Sequence, residues 1–104
     1  MKKVLGGLLG ALLLALSSIT ANAADKLTLQ LQWVTQAQFA GYYVAKDKGY
    51  YADEGLDVTI KPGGPDIAPP QVLAGGGADL MLNWMPSALA AREKGVPIVN
   101  IAQP

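Results

Sequence analysis

Both tryptophans of this chain directly follow a neutral amide, in Gln32-Trp33 and Asn83-Trp84. An indole face stacks on flat rings, which is worth about 0.5–1.5 kcal/mol beyond the area it buries. A primary amide carries a donor and an acceptor side by side and can read the edge of a polar ring. Asp66 adds a carboxylate in the loop Gly63-Gly64-Pro65-Asp66, where Gly64 supplies backbone freedom. Ser87 adds a hydroxyl at the start of a helix whose first N–H groups can hold a carbonyl or an anion. Gln38, in the first turn of an earlier helix, completes the candidate binding residues. No Lys or Arg stands among them, so a doubly charged anion finds little compensation. The set suits a small, flat, polar heteroaromatic ligand. Each member also has a plainer use: a strand-end Trp as a core lid, Asp66 as a helix cap, Gln32 as a solvated side chain.

Catalysis has little to work with. Asp53 and Glu54 are neighbours in a turn and do not face each other as an acid/base pair, and Ser87 has no histidine in the chain to activate it. With neither His nor Cys, imidazole and thiolate metal ligands are unavailable. No catalytic residue, no metal site and no cofactor is expected, and the chain reads as a non-enzyme.

These residues are positioned by an alternation of strands and helices with short connections, the pattern of an α/β fold with a parallel sheet and flanking helices. Leu27, Leu29 and Leu31 alternate with Thr28, Gln30 and Gln32, which predicts a strand over 26–33. Helical spacing over 36–48 places Phe39, Ala40, Tyr43 and Val44 on one apolar stripe, closed by a left-handed cap at Gly49. Residues 50–55 read as a turn, and 56–61 as a second strand with Leu56, Val58 and Ile60 on one face. Asp66 is expected to cap a helix over 67–74, with Pro69 and Pro70 in its first turn. A third strand covers 78–82, a helix runs from Pro86 or Ser87 to Lys94, and a fourth strand covers 98–102. Ligands of open parallel sheets bind outside the carboxyl ends of the strands, where Gln32-Trp33, the Gly64 loop, Asn83-Trp84 and Gln103 all fall.

The N-terminus has a different character. Lys2 and Lys3 precede an apolar run from Val4 to Leu16, then Ser17-Ser18-Ile19-Thr20 and Ala21-Asn22-Ala23. This is the pattern of a secretory signal peptide over 1–23, too short for a membrane span of about 20 residues. Its removal leaves 81 residues, 24–104, with six basic and eight acidic side chains. A net charge of −2 argues against nucleic acid and anionic membranes as partners, and no stable membrane insertion is expected once the leader is gone. The absence of cysteine excludes disulfides and a lipidated N-terminal cysteine. The periplasm is the expected location.

The run L-Q-W-V-T-Q-A-Q-F-A-G-Y-Y-V-A-K-D-K-G-Y-Y-A-D-E-G-L-D-V from Leu31, then G-G-P-D-I, A-D-L and S-A-L-A-A-R-E-K-G-V-P-I-V, resembles the periplasmic substrate-binding proteins of ABC importers. The resemblance covers residues 27–103. It points to the branch holding binders of thiamine-pyrimidine precursors, beside those for alkanesulfonates, taurine and nitrate. Such proteins have two hinged α/β lobes that close on a ligand and deliver it to a membrane permease. The resemblance makes this chain part of lobe I of a type II periplasmic binding protein, with a pyrimidine-precursor ligand and a permease partner. In pyrimidine-precursor binders the polar-plus-Trp pair after the first strand contacts the ring; here that pair is Gln32-Trp33. Related eukaryotic thiamine-pyrimidine synthases carry a lysine and a histidine where this chain has Asn83 and Ser87, together with a cysteine-rich iron motif that it lacks. Family members run to about 300 residues, so the chain is expected to be a fragment with exposed edges at its third and fourth strands, and to bind weakly alone. A sulfonate or nitrate binder, a synthase-like enzyme and a small interaction module complete at 81 residues are the alternatives.

Overall fold

A computed structural model describes residues 23–104, and the leader reading for residues 1–22 lies outside the described residues. Three strands form one sheet: β1 (Asp25–Gln30), β2 (Leu56–Lys61) and β3 (Leu80–Met81). Their order is β2-β1-β3 and both pairings are parallel, which bears out the α/β reading. The β1–β2 register runs from Asp25 opposite Leu56 to Gln30 opposite Lys61, whereas β1 and β3 pair only at Leu29–Leu80 and Gln30–Met81. Among the described residues four α-helices accompany the sheet: α1 (Ala40–Asp47), α2 (Tyr50–Asp53), α3 (Pro69–Ala74) and α4 (Met85–Glu93).

The core gathers where the predicted apolar faces meet. Leu29, Leu31, Phe39 and Val58 are buried, and Leu27, Leu56, Ile60, Tyr42, Tyr43 and Tyr51 pack around them. The helical stripe is shifted from its expected phase. A 3-10 turn at Ala37–Phe39 precedes α1, and winding at three residues per turn puts Phe39, Tyr42 and Tyr43 on the covered side. Ala40 and Val44 are exposed instead. Gly49 takes the expected left-handed conformation (φ 76°). It ends α1 and at once starts α2, so a short helix stands where a turn over 50–55 was expected.

Three further boundaries differ for identifiable reasons. α3 starts at Pro69, not Ile67, and Asp66 caps nothing: the residue before a proline is driven from helical geometry, and Ala68 is extended (φ −103°, ψ 102°). β3 is shorter than the expected 78–82 strand because Asp79 reaches β1 differently. Its carboxylate accepts the Thr28 N–H at 2.8 Å while its own N–H donates to the Thr28 carbonyl at 2.9 Å. The fourth strand over 98–102 does not form. A strand exists by its ladder, and residues 96–104 carry no strand or helix. Ile98 is buried, but Val99 and Ile101 are exposed.

Gln30 belongs to the polar set of the β1 alternation, yet it is buried at 2 % exposure. A central strand in a parallel sheet is covered on both faces, so its polar groups need partners. The Gln30 amide donates to the carbonyls of Leu31 (2.9 Å), Pro62 (3.1 Å) and Lys61 (3.4 Å). It ties the exit of β1 to the exit of β2.

Candidate functional site

The strand order has a consequence for ligand binding. The chain leaves β1 for β2 on one side, then returns to β3 on the other, so the sequence reverses direction between β1 and β3. In an open parallel sheet that reversal splits the connections apart and leaves a crevice beyond the carboxyl ends. Trp33 follows β1 and Trp84 follows β3, so the two indoles flank this point.

A cleft of ≈ 410 Å³ lies there, lined by Gln32, Trp33, Gln36, Gln38, Phe39 and Trp84. The volume falls within the range of small-molecule sites, about 300–1,000 Å³. Trp33 is 41 % exposed and Trp84 70 % exposed, so both rings present free faces. Phe39 is buried and joins this wall to the core. Apart from the two indole N–H groups, the polar side chains on the lining are the three glutamine amides, and no charged group is among them.

The Trp33 wall is held from below. The Leu31 N–H donates to the Lys61 carbonyl at 2.8 Å and the Gly63 N–H to the Trp33 carbonyl at 2.9 Å. Gly63 lies so close that a Cβ there would sit 2.6 Å from the Gln32 carbonyl carbon, the Leu31 oxygen and the Trp33 nitrogen. Only glycine allows this approach. The Thr35 hydroxyl is 3.2 Å from that of Tyr43, which fastens the following loop to α1. On the far side Trp84 immediately precedes α4, and no side chain caps that helix.

Of the residues selected from sequence, Gln32, Trp33, Gln38 and Trp84 line the cleft. Asn83 and Ser87 meet each other instead, the Asn83 amide donating to the Ser87 hydroxyl at 3.1 Å, and neither is on the lining. Gly64 is buried and Asp66 exposed in their loop, also off the lining. Three residues escaped the sequence reading. Gln36 stands two positions before Gln38 in the same T-Q-A-Q-F run and could have been grouped with it. Phe39 belongs by its spacing to the helix stripe, which hides its place on the cleft. Gly63 carries no signal apart from its neighbour Gly64, because its role is a close approach between distant segments.

Among the described residues no group of three His, Cys, Asp or Glu side chains could hold a metal ion. No described helix is long and apolar enough to cross a membrane.

The described residues form a partial α/β lobe with an apolar, amide-lined cleft at the reversal point of its parallel sheet. Comparison with known proteins narrows this: the model of the family described as NMT1/THI5 like matches residues 36–104, and the chain belongs to that family. Formylaminopyrimidine-binding protein from Halalkalibacterium halodurans is 37% identical over 105 residues, 96% of this chain and 32% of that protein. A putative thiamine biosynthesis protein from Haemophilus influenzae is 30% identical over 85 residues, 81% of this chain and 27% of its own length. A 4-amino-5-hydroxymethyl-2-methylpyrimidine phosphate synthase from Saccharomyces cerevisiae is 32% identical over 82 residues, 77% of this chain and 24% of the enzyme. The chain spans about a quarter to a third of the length of these curated relatives.

Proposed function

We propose that residues 24–104 form one wall of the binding cleft of an exported solute-binding protein whose ligand is a thiamine-pyrimidine precursor. The observation that carries this reading is the convergence of Trp33 and Trp84 on one cleft whose remaining polar lining is amide. Two indoles suit a flat ring, and neutral amides suit its polar edge. The printed name of the Halalkalibacterium halodurans relative supports the ligand class. The basic, apolar and small-residue pattern over 1–23 supports export, and with it a periplasmic location and a membrane permease as the receiving partner.

Affinity follows from size. A micromolar binder has about −8 kcal/mol to distribute over its contacts. A single wall with half of them retains about −4 kcal/mol, which is millimolar. Titrating 4-amino-2-methylpyrimidine into the purified chain should change its tryptophan emission with a millimolar midpoint. Trp33→Leu and Trp84→Leu should each weaken that response at least fivefold. An emission that the pyrimidine leaves unchanged would overturn the reading.

A second reading is an enzyme, because several relatives are named pyrimidine phosphate synthases. The residues of this chain favour binding: the cleft lining offers no titratable side chain to move a proton. Iron or pyridoxal phosphate retained by the purified protein would favour the enzyme.

A further inference from the structure

The Gln36 and Gln38 side chains meet at the rim of the cleft, the Gln38 Nε2 donating to Gln36 Oε1 at 2.7 Å. Residues two apart diverge on a regular helix. They meet here because Gln36 is extended (φ −141°, ψ 168°) while Gln38 lies inside the 3-10 turn. The Phe39 N–H closes that turn on the Gln36 carbonyl at 3.0 Å, which fixes the spacing of the two side chains. Both line the cleft beside the indoles.

One shared hydrogen bond leaves a definite remainder. An amide offers two N–H donors and a carbonyl with two lone pairs. With Gln38 donating to Gln36, the Gln36 amino group and the Gln38 carbonyl stay free. With both amides turned over, the Gln36 carbonyl and the Gln38 amino group stay free. Either way the linked pair presents one wholly free amino group and one wholly free carbonyl on adjacent side chains. The link also restricts two flexible side chains before any ligand arrives, which lowers the ordering cost of binding.

We infer that Gln36 and Gln38 act together as a specificity element that selects a ring bearing a hydrogen-bond acceptor next to an amino donor on one edge, as in an aminopyrimidine. The inference rests on the ring-binding reading of the cleft proposed above. Its chemistry is complementary: an amide N–H meets the ring nitrogen and an amide oxygen accepts from the exocyclic amino group. A ring of the same shape with methyl in place of amino leaves the acceptor unpaired, and a site built for hydrogen bonding discriminates against such an analogue. On a half-open rim, the expected discrimination is about fivefold to tenfold.

The test compares 4-amino-2-methylpyrimidine with 2,4-dimethylpyrimidine by tryptophan emission on the whole chain, in alkaline buffer that keeps the ring nitrogen unprotonated. The wild-type chain should bind the amino ring about fivefold to tenfold more tightly. In Gln36→Ala and in Gln38→Ala the ratio of the two affinities should fall to near one, with circular dichroism reporting the fold of each variant. Equal affinities in the wild type would overturn the inference and leave the cleft reading standing, as would an undiminished preference in both variants. No emission response to either ring would overturn the cleft reading, and the inference with it.

Discussion

The two halves of the sheet are built to different standards. On the β1–β2 side, six residue pairs form the ladder. The Gln30 amide and the Gly63 approach lock the strand exits together, and Lys46 donates from α1 to the Val58 carbonyl. On the β3 side the ladder has two pairs. α4 adds no side chain to the core cluster, whereas α1 and α2 add Tyr42, Tyr43 and Tyr51, and Leu89, Val99 and Ile101 are more than half exposed. The cleft is assembled from both: Trp33 stands on the braced half and Trp84 on the sparse one. The difference teaches that the cleft has one fixed side and one whose position depends on few contacts. A ligand gripped by both indoles would supply contacts that the β3 side lacks.

The severest test of the comparison is Leu31→Ala. Leu31 is fully buried at the exit of β1, and truncating such a leucine costs about 2–5 kcal/mol. The described residues share one small core, which supplies only a few kcal/mol of stability, so the variant should lose its cooperative urea transition. A variant with a cooperative transition near the wild-type midpoint would show that the braced half does not carry the fold.

Gly63→Ala probes the same half with less force. Its Cβ would press on three backbone atoms of Leu31–Trp33, and backbone cannot yield as a flexible side chain can. The expected cost is about 1–3 kcal/mol, typical of overpacking. In a Trp84→Phe background the emission of Trp33 should also shift, since the strain falls on its own backbone nitrogen. An unchanged urea midpoint and an unchanged emission together would remove Gly63 from the bracing.

The contrast between the halves also marks what the sequence made legible. Alternation at Leu27, Leu29 and Leu31 and at Leu56, Val58 and Ile60 identified β1 and β2, because apolar faces must be covered whatever covers them. The same alternation is silent on the burial of Gln30, which follows from β1 being central, a property of the strand order and not of any local run. Gly63 was hidden for the same reason, since its constraint comes from the backbone of Leu31–Trp33, thirty residues away in sequence. The expected strand over 98–102 has the right residue types, but a β-strand needs a neighbour, and no described strand pairs with it. At the site, strand-end position and residue chemistry together pointed to Gln32, Trp33 and Trp84, and these line the cleft with the further candidate Gln38. Asn83, Ser87, Gly64 and Asp66 fell off the lining because strand-end position places a residue near a crevice without directing its side chain into it.

On the sparse half, Leu89→Ser should be nearly silent. Leu89 is 54 % exposed on α4, and substitutions at such surfaces usually stay within about 0.5 kcal/mol. The urea midpoint should be unchanged within that limit. A loss above about 1.5 kcal/mol would mean that α4 is packed as firmly as α1, and the asymmetry would disappear.

The smallest effect expected is one of pH, and it reports on a single half by construction. All four tyrosines, Tyr42, Tyr43, Tyr50 and Tyr51, lie on the α1–α2 segment beside β2. Burial raises the Tyr51 hydroxyl above its ordinary value, and the nearby Tyr42 adds to the shift by repelling a second phenolate. A folded-state value above the unfolded one means that the folded chain holds this proton more tightly. The resulting stability is fully present below the unfolded value of about 10 and is lost as pH rises through the folded one. Wild-type stability should therefore decline across that alkaline window, and Tyr51→Phe, which has no proton to lose, should decline less steeply. Because no tyrosine lies on the β3 side, the difference between the two slopes belongs to the braced half alone. Parallel slopes would show that Tyr51 ionises as freely in the fold as outside it, and that its ring is not part of the packing that steadies the Trp33 wall.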